Sequence, residues 1–260
     1  MKAMGFTTGL GNKRVIIQGM GNVGYHSAKF LAEGGATIVG ICEFEGAIYN
    51  ASGLDIEEVF QFRKHTGSLL NFPRARSFTS SAEGLEQECD ILVPAALENQ
   101  IHAGNIAQIK AKIIVEGANG PTTPEAAAYF AQKGGIIVPD MYANAGGVTV
   151  SYFEWLKNIS HVAFGRMDKR YVENSMRNIV EAIESHNGVP LSPEQKRVIV
   201  KGASELELVN SGLEETMIRA YSEIREVKVQ NPKIDSLRTA AFVCAIDKIA
   251  TTYTNLGVFP

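Results

Sequence analysis

The sequence predicts an α/β fold, a doubly wound and mainly parallel sheet with a helical C-terminal extension. Three observations predict it. In the first part of the chain, short β-branched runs alternate with helical patterns, the signature of βαβ units. A glycine-rich turn joins the first run to the first helix. From about Gly147 onward the strand signal disappears and only helical periodicity remains.

Arg14 to Gln18 (RVIIQ) reads as the first strand, and Asn22 to Gly34 as a helix with Val23, Ser27, Phe30 and Leu31 on one face. Ala36 to Cys42 is the second strand. Asp55 opens a second helix, IEEVFQFRKH. Asp90 to Val93 and Lys112 to Val115 are continuous apolar runs of the length expected for buried parallel strands. Thr123 caps a helix with Pro124 at its first position, ending at Gly134, and Ile136 to Pro139 is a further strand. Beyond 150, the segments YFEWLKNI, RYVENSMRNIVEAIES, SGLEETMIRAYSEIREV and SLRTAAFVCAIDKIATTYTNLG read as helices. The clearest break is Asn187-Gly-Val-Pro190, with a new helix start at Ser192-Pro193-Glu194. The expected organisation is a core over 1–150 and a helical extension of the same domain over 151–260.

An apolar share of 45% and a charged share of 20% are those of an ordinary soluble globular chain. A net charge of -3 provides no basic footprint for nucleic acid or an acidic membrane, so a small-molecule ligand is the better expectation. No run approaches the ~18 apolar residues of a membrane span. The three cysteines (Cys42, Cys89, Cys244) have no paired or metal-ligand spacing and lie in apolar runs, which predicts free, buried thiols. His26, His65, His102, His161 and His186 show no ligand spacing either, and no metal site is expected. Tyr152, Phe153 and Trp155 are read as core or inter-subunit packing.

The chemistry lies in Gly19-Met-Gly21-Asn-Val-Gly24, a G-x-G-x-x-G that follows a strand and opens a helix. Gly19 permits the tight turn, Gly21 lets the backbone approach a pyrophosphate, and Gly24 lets helix and strand pack closely. The anion then sits on the helix N-terminus. An acidic residue about twenty positions on is the second requirement of a dinucleotide site, and Glu43 follows the second strand. The plain alternative is a glycine turn followed by a surface glutamate. The ordered set of strand, loop, helix, strand and carboxylate favours a Rossmann dinucleotide site. A carboxylate suits free ribose hydroxyls and repels a 2′-phosphate, and EFEGAIYN holds no Arg or Lys. NAD is therefore expected ahead of NADP, with NADP as the second candidate.

IIQGMGNVGYHSA, CDILVPAALENQI, KIIVEGANGPTTPEA, IIVPDMYANAGGVTVSYFEWLKN and SLRTAAFVCAIDKI together resemble the C-terminal half of the glutamate dehydrogenase family, from about Gly5 to the end of the chain. The resemblance implies roles. Asn22 and Val23 match the phosphate contact beside the glycines. Ala95 and Ala96 match the pair lining the cofactor's ribose and adenine side. Asn119 and Asn144 match the asparagines that hold the nicotinamide ribose and carboxamide, since an amide offers both donor and acceptor. Both also adjoin glycine or a turn, so turn formation is their alternative role. Ser151 matches the serine that contacts the substrate side-chain carboxylate in glutamate-specific members; its alternative is a polar residue near a helix start.

The same resemblance implies oxidative deamination of L-glutamate to 2-oxoglutarate and ammonia, and a homohexamer. It sets the compartment as cytoplasm or mitochondrial matrix. The family's catalytic lysine lies in a PxGGxKGG stretch, with an acidic proton-transfer partner, in a substrate domain. This sequence has no such stretch, so no catalytic residue is assigned here and no turnover by this chain alone is expected. Gly165 to Gly202 resembles the helical antenna of animal-type members but is shorter, which sets it apart from members regulated by GTP or ADP. Two alternatives remain: a stand-alone nucleotide-binding module, or the cofactor domain of a leucine, valine or phenylalanine dehydrogenase.

Overall fold

Strand β1 (Arg14–Gln18) runs buried through the middle of a seven-stranded sheet, flanked by β2 (Thr37–Glu43) and β5 (Ile91–Pro94). Its partners are parallel, and the sheet continues through β6 (Ile113–Val115) to β7 (Ile136–Val138), also parallel. Continuous apolar strands are what a sheet covered on both faces requires. The side-chain period of two then sorts the core. Val15, Ile17, Ile91 and Val93 join one cluster, and Ile16 and Leu92 the other, on opposite faces.

The computed structural model describes residues 5–160 and 166–257. His161 and Gly165, for which roles are expected above, lie outside the described residues. On one edge the sheet acquires two strands that the sequence reading does not contain, β3 (Gly46–Tyr49) and β4 (Arg76–Phe78), both antiparallel. The order β4-β3-β2-β1-β5-β6-β7 is that of a mainly parallel, doubly wound sheet with an antiparallel edge.

Helix α1 (Asn22–Glu33) follows β1 directly and buries Gly24 and Ala28; of the predicted face, Leu31 packs against the core and Ser27 is half-buried. Val23 and Phe30 are more than half exposed. Close approach of helix to strand is the reason: the contact line at Gly24 and Ala28 admits only small side chains, which turns Val23 and Phe30 outward. Helix α2 (Ile56–Thr66) is capped by Asp55, whose side chain accepts from Glu58 N at 2.9 Å, and stops at Gly67 in the left-handed region. Short α3 (Ser81–Leu85) precedes β5. Thr123 caps α4 (Pro124–Gln132), with proline at the first turn as expected. After β7 comes α5 (Asp140–Ala143).

The helical remainder comprises α6 (Ala145–Ser160), α7 (Arg166–Asn187), α8 (Pro193–Val200), α9 (Glu205–Gln230) and α10 (Leu237–Leu256). The chain divides into two compact units, Met1–Ala145 with Tyr221–Pro260, and Gly146–Ala220. The division falls before the expected 150, and the C-terminal residues group with the sheet. Ile224, Ile234, Ala240 and Ala241 are buried together with Met141 and Tyr142, and that shared apolar cluster is the cause. In the second unit, a capping box at Ser192 and Gln195 starts α8, and Glu184 of α7 pairs with Lys196 of α8 at 2.7 Å. Tyr152 and Trp155 stack with centroids 5.8 Å apart, yet each is more than half exposed in this chain, so they are not core residues.

Candidate functional site

The strand order reverses between β1 and β5: from β1 the chain builds outward to β4 on one side, then returns to lay β5 on the other. The crevice beyond the carboxyl ends of those two strands is where open α/β sheets bind ligands. Gly19 leaves β1 at φ +92°, and its N–H donates to the Cys42 carbonyl at 2.7 Å. A side chain there would meet the Ala95 carbonyl oxygen at 2.8 Å. Gly24 is tighter still, since a Cβ would lie 1.9 Å from the Gly19 carbonyl oxygen. Both glycines are demanded by the fold. Gly21 differs: its φ is -78° and a Cβ would meet nothing within 4 Å. It is the N-cap of α1, with no side-chain cap and no acidic residue in the first turn, so the positive end of that helix is left uncompensated.

Asn22 and Val23 are exposed on this first turn. The small residues that the resemblance singles out line the opposite wall: Ala96 Cβ would lie 3.3 Å from a Gly19 Cβ. A Cβ on Gly117 would meet Ala95 Cβ at 3.1 Å and Val23 Cγ1 at 3.4 Å. The loop after β5 and the loop after β6 therefore converge on the glycine turn.

Glu43, at the end of β2, is mostly buried. Its Oε1 accepts from Met20 N at 2.7 Å, which ties the carboxylate to the glycine loop. Arg63 of α2 stands beside it, with Nη2 3.0 Å from the same oxygen and Nη1 donating to the Met20 carbonyl at 2.9 Å. The premise that no cation lies near Glu43 holds only along the sequence. The fold supplies one from the last turn of the next helix.

Asn119 and Asn144 lie in different loops and meet. Asn144 Nδ2 donates to Asn119 Oδ1 at 2.7 Å. A carboxamide pair joined this way presents one remaining amide nitrogen and one remaining carbonyl oxygen, the complement of a third carboxamide. Three residues with no role in the sequence reading hold the two loops. Asp140 Oδ2 accepts from Gly120 N at 2.8 Å, next to Asn119, and Glu116 Oε2 accepts from Asp140 N at 3.0 Å. Arg238, at the start of α10, donates to Asp140 Oδ1 at 2.7 Å and also bonds Glu116 Oε2. Glu116 is wholly buried, and burial pushes its carboxyl above the ordinary range despite Arg238. Burial acts on Asp140 in the same direction, but donors from Gly120, Met141 and Arg238 outweigh it and hold that carboxyl low. The only advance signal was a charged residue at the end of each apolar run: Glu116 after IIV and Asp140 after IIVP.

Gly19, Gly21, Asn22, Val23, Gly24, Glu43, Ala95, Ala96, Asn119 and Asn144 all belong to the first unit. Ser151 belongs to the second, inside α6, where its hydroxyl donates to the Gly147 carbonyl at 3.0 Å, a bond within the helix. Among the described residues no three His, Cys, Asp or Glu side chains group as metal ligands, and no helix is long and apolar enough to cross a membrane.

A doubly wound sheet with a glycine turn opening the first helix at its switch point defines a Rossmann-type domain. A family model for Glutamate/Leucine/Phenylalanine/Valine dehydrogenase matches residues 2–209, and the chain belongs to that family. It is 47% identical over 257 residues to the mitochondrial glutamate dehydrogenase of Dictyostelium discoideum, covering 99% of this chain and 51% of the relative. It is 42% identical over 253 residues to an NADP-specific glutamate dehydrogenase of Saccharolobus shibatae, covering 97% of this chain and 50% of that one. Among solved structures, a hetero-hexameric glutamate dehydrogenase from Thermus thermophilus in a leucine-bound form superposes with a TM-score of 0.74. Its sequence identity is 25%, over 100% of this chain and 50% of that one. The chain thus spans about half the length of the relatives it matches.

Proposed function

We propose that this chain is the NAD(P)-binding half of a glutamate dehydrogenase. In the complete enzyme L-glutamate is oxidatively deaminated to 2-oxoglutarate and ammonia. The observation that carries the reading is Gly21. The protein's own packing explains Gly19 and Gly24, whereas at Gly21 any side chain has room and the backbone angles suit any residue. A glycine without an internal reason stands where the backbone must approach a ligand, on an uncapped helix N-terminus suited to a pyrophosphate.

When bound, the nicotinamide of the cofactor supplies the hydride acceptor. On this reading Glu43 takes the ribose hydroxyls, and Asn22 and Val23 flank the phosphates. Ala95 and Ala96 leave room for the ribose and adenine side. Asn119 and Asn144 orient the carboxamide, while Ser151 contacts the substrate side-chain carboxylate. Proton transfer belongs to a lysine and an acid in the substrate domain that the resemblance describes, so the 260-residue chain binds cofactor without turnover. The homohexamer, the two substrates, and a cytoplasmic or mitochondrial-matrix location are carried by the same resemblance.

The test is an NADH titration of this chain and of Gly21→Val. The variant is expected to keep the circular dichroism and melting temperature of the parent and to lose NADH binding. Unchanged NADH affinity in a folded Gly21→Val variant overturns the site. Adding 2-oxoglutarate to the parent is expected to change NADH affinity little.

A further inference from the structure

Arg63 reaches two parts of the site that Glu43 already ties together. Its guanidinium donates to the carbonyl of Met20, in the middle of the glycine loop, and pairs with Glu43 at the end of β2. Glu43 in turn accepts the Met20 N–H. The Arg63 and Glu43 side chains are 30% and 11% exposed, so the pair is partly desolvated and its charges act on each other and on whatever lies beside them. A carboxylate in this position faces the adenosine ribose of a dinucleotide. Alone it excludes a 2′-phosphate by charge. Paired with a guanidinium it carries no net charge, and the guanidinium is itself the side chain best suited to a phosphate, with five donors in a planar fork.

We propose that Arg63 is a specificity-determining residue: by pairing with Glu43 at the ribose corner, it makes the site accept a 2′-phosphorylated dinucleotide as well as the 2′-hydroxyl form. The proposal rests on the dinucleotide reading given above. It differs from a purely structural role, in which Arg63 staples α2 to the glycine loop and its loss weakens every dinucleotide alike. Only a role in discrimination changes the ratio of the two affinities.

The experiment is calorimetric or fluorescence titration of the 260-residue chain with NADH and with NADPH. The parent is compared with Arg63→Gln, Arg63→Lys and Glu43→Gln, each checked for fold by circular dichroism. The parent is expected to bind the two cofactors within about tenfold of each other. Arg63→Gln is expected to weaken NADPH by about tenfold or more and NADH by less than about threefold, the scale of one charge-assisted hydrogen bond. Arg63→Lys keeps the charge and is expected to retain part of the NADPH affinity. Glu43→Gln is expected to weaken NADH and to leave NADPH equal or tighter. Equal loss of both cofactors in a folded Arg63→Gln overturns the proposal, as does a parent that binds NADH and rejects NADPH by more than about a hundredfold. If Arg63→Gln does not fold, the NADPH-to-NADH ratio in Arg63→Lys decides: an unchanged ratio overturns the proposal. A parent that binds neither cofactor overturns the dinucleotide reading itself, a different and separately visible failure.

Discussion

Replacing Arg238 by glutamine removes the guanidinium that Glu116 and Asp140 share. Glu116 is wholly buried and Asp140 nearly so, with side chains 0% and 15% exposed, while that of Arg238 is 34% exposed. Breaking a buried ion pair by deleting one partner costs roughly 3–5 kcal/mol, because the remaining charge is left uncompensated. The one-third exposure of Arg238 admits water to the gap, which places the expected loss at the lower end, about 3 kcal/mol. On a domain of this size that lowers the melting temperature by roughly 6–12 °C. The loss carries a pH signature. Burial already raises the folded-state pKa of Glu116 above its unfolded value. The native state therefore holds that proton more tightly, and stability falls as pH rises through the folded pKa. Without Arg238 the pKa rises further, so the deficit is largest at alkaline pH and shrinks on acidification toward the unfolded carboxyl value. Urea unfolding of parent and variant at pH 8 and pH 5.5, followed by circular dichroism, measures both. A deficit under about 1 kcal/mol at pH 8, or one that grows on acidification, refutes the buried-pair account.

Gly24→Ala places a Cβ 1.9 Å from the Gly19 carbonyl, so α1 must move off β1. It is expected to melt well below Gly21→Val in a thermal scan, and equal melting temperatures would contradict the packing argument. Asn144→Ala removes the donor to Asn119; it is expected to weaken NADH by about tenfold, the worth of a hydrogen bond and its freed partner, while leaving ADP-ribose unaffected. A parallel loss for both ligands would place Asn144 outside the nicotinamide end. Burial pushes the Cys42 thiol far up and the Cys89 thiol up to about 12, and both are enclosed by the core. Ellman's reagent is expected to leave both unmodified in the native chain and to modify them after denaturation. Rapid native labelling of either counts against the core assignment.

What could be read from the residues alone was whatever a residue's own chain neighbours enforce. Gly19 needs a positive φ because a strand must turn there into a helix, and Asp55, Thr123 and Ser192 cap helices by bonding backbone three residues ahead. Buried parallel strands announce themselves as unbroken apolar runs, so β1, β2, β5 and β6 were legible. The antiparallel strands β3 and β4 were not, because GAIY and RSF lack the unbroken β-branched run of a buried parallel strand and become strands only by pairing with a neighbour. Val23 and Phe30 of α1 turn outward for a related reason: hydrophobicity marks a face, but contact with β1 is decided by which side chains are small enough to let the backbones approach. The site divides along the same line. The glycines and Glu43 follow from local spacing, whereas the partners that set their charge and hold their loops come from elsewhere: Arg63 from the next helix, Arg238 from 122 residues beyond Glu116. A charge pair needs only proximity in space and imposes no spacing on the chain, so the folded sheet and its helices alone determine which carboxylate each arginine meets.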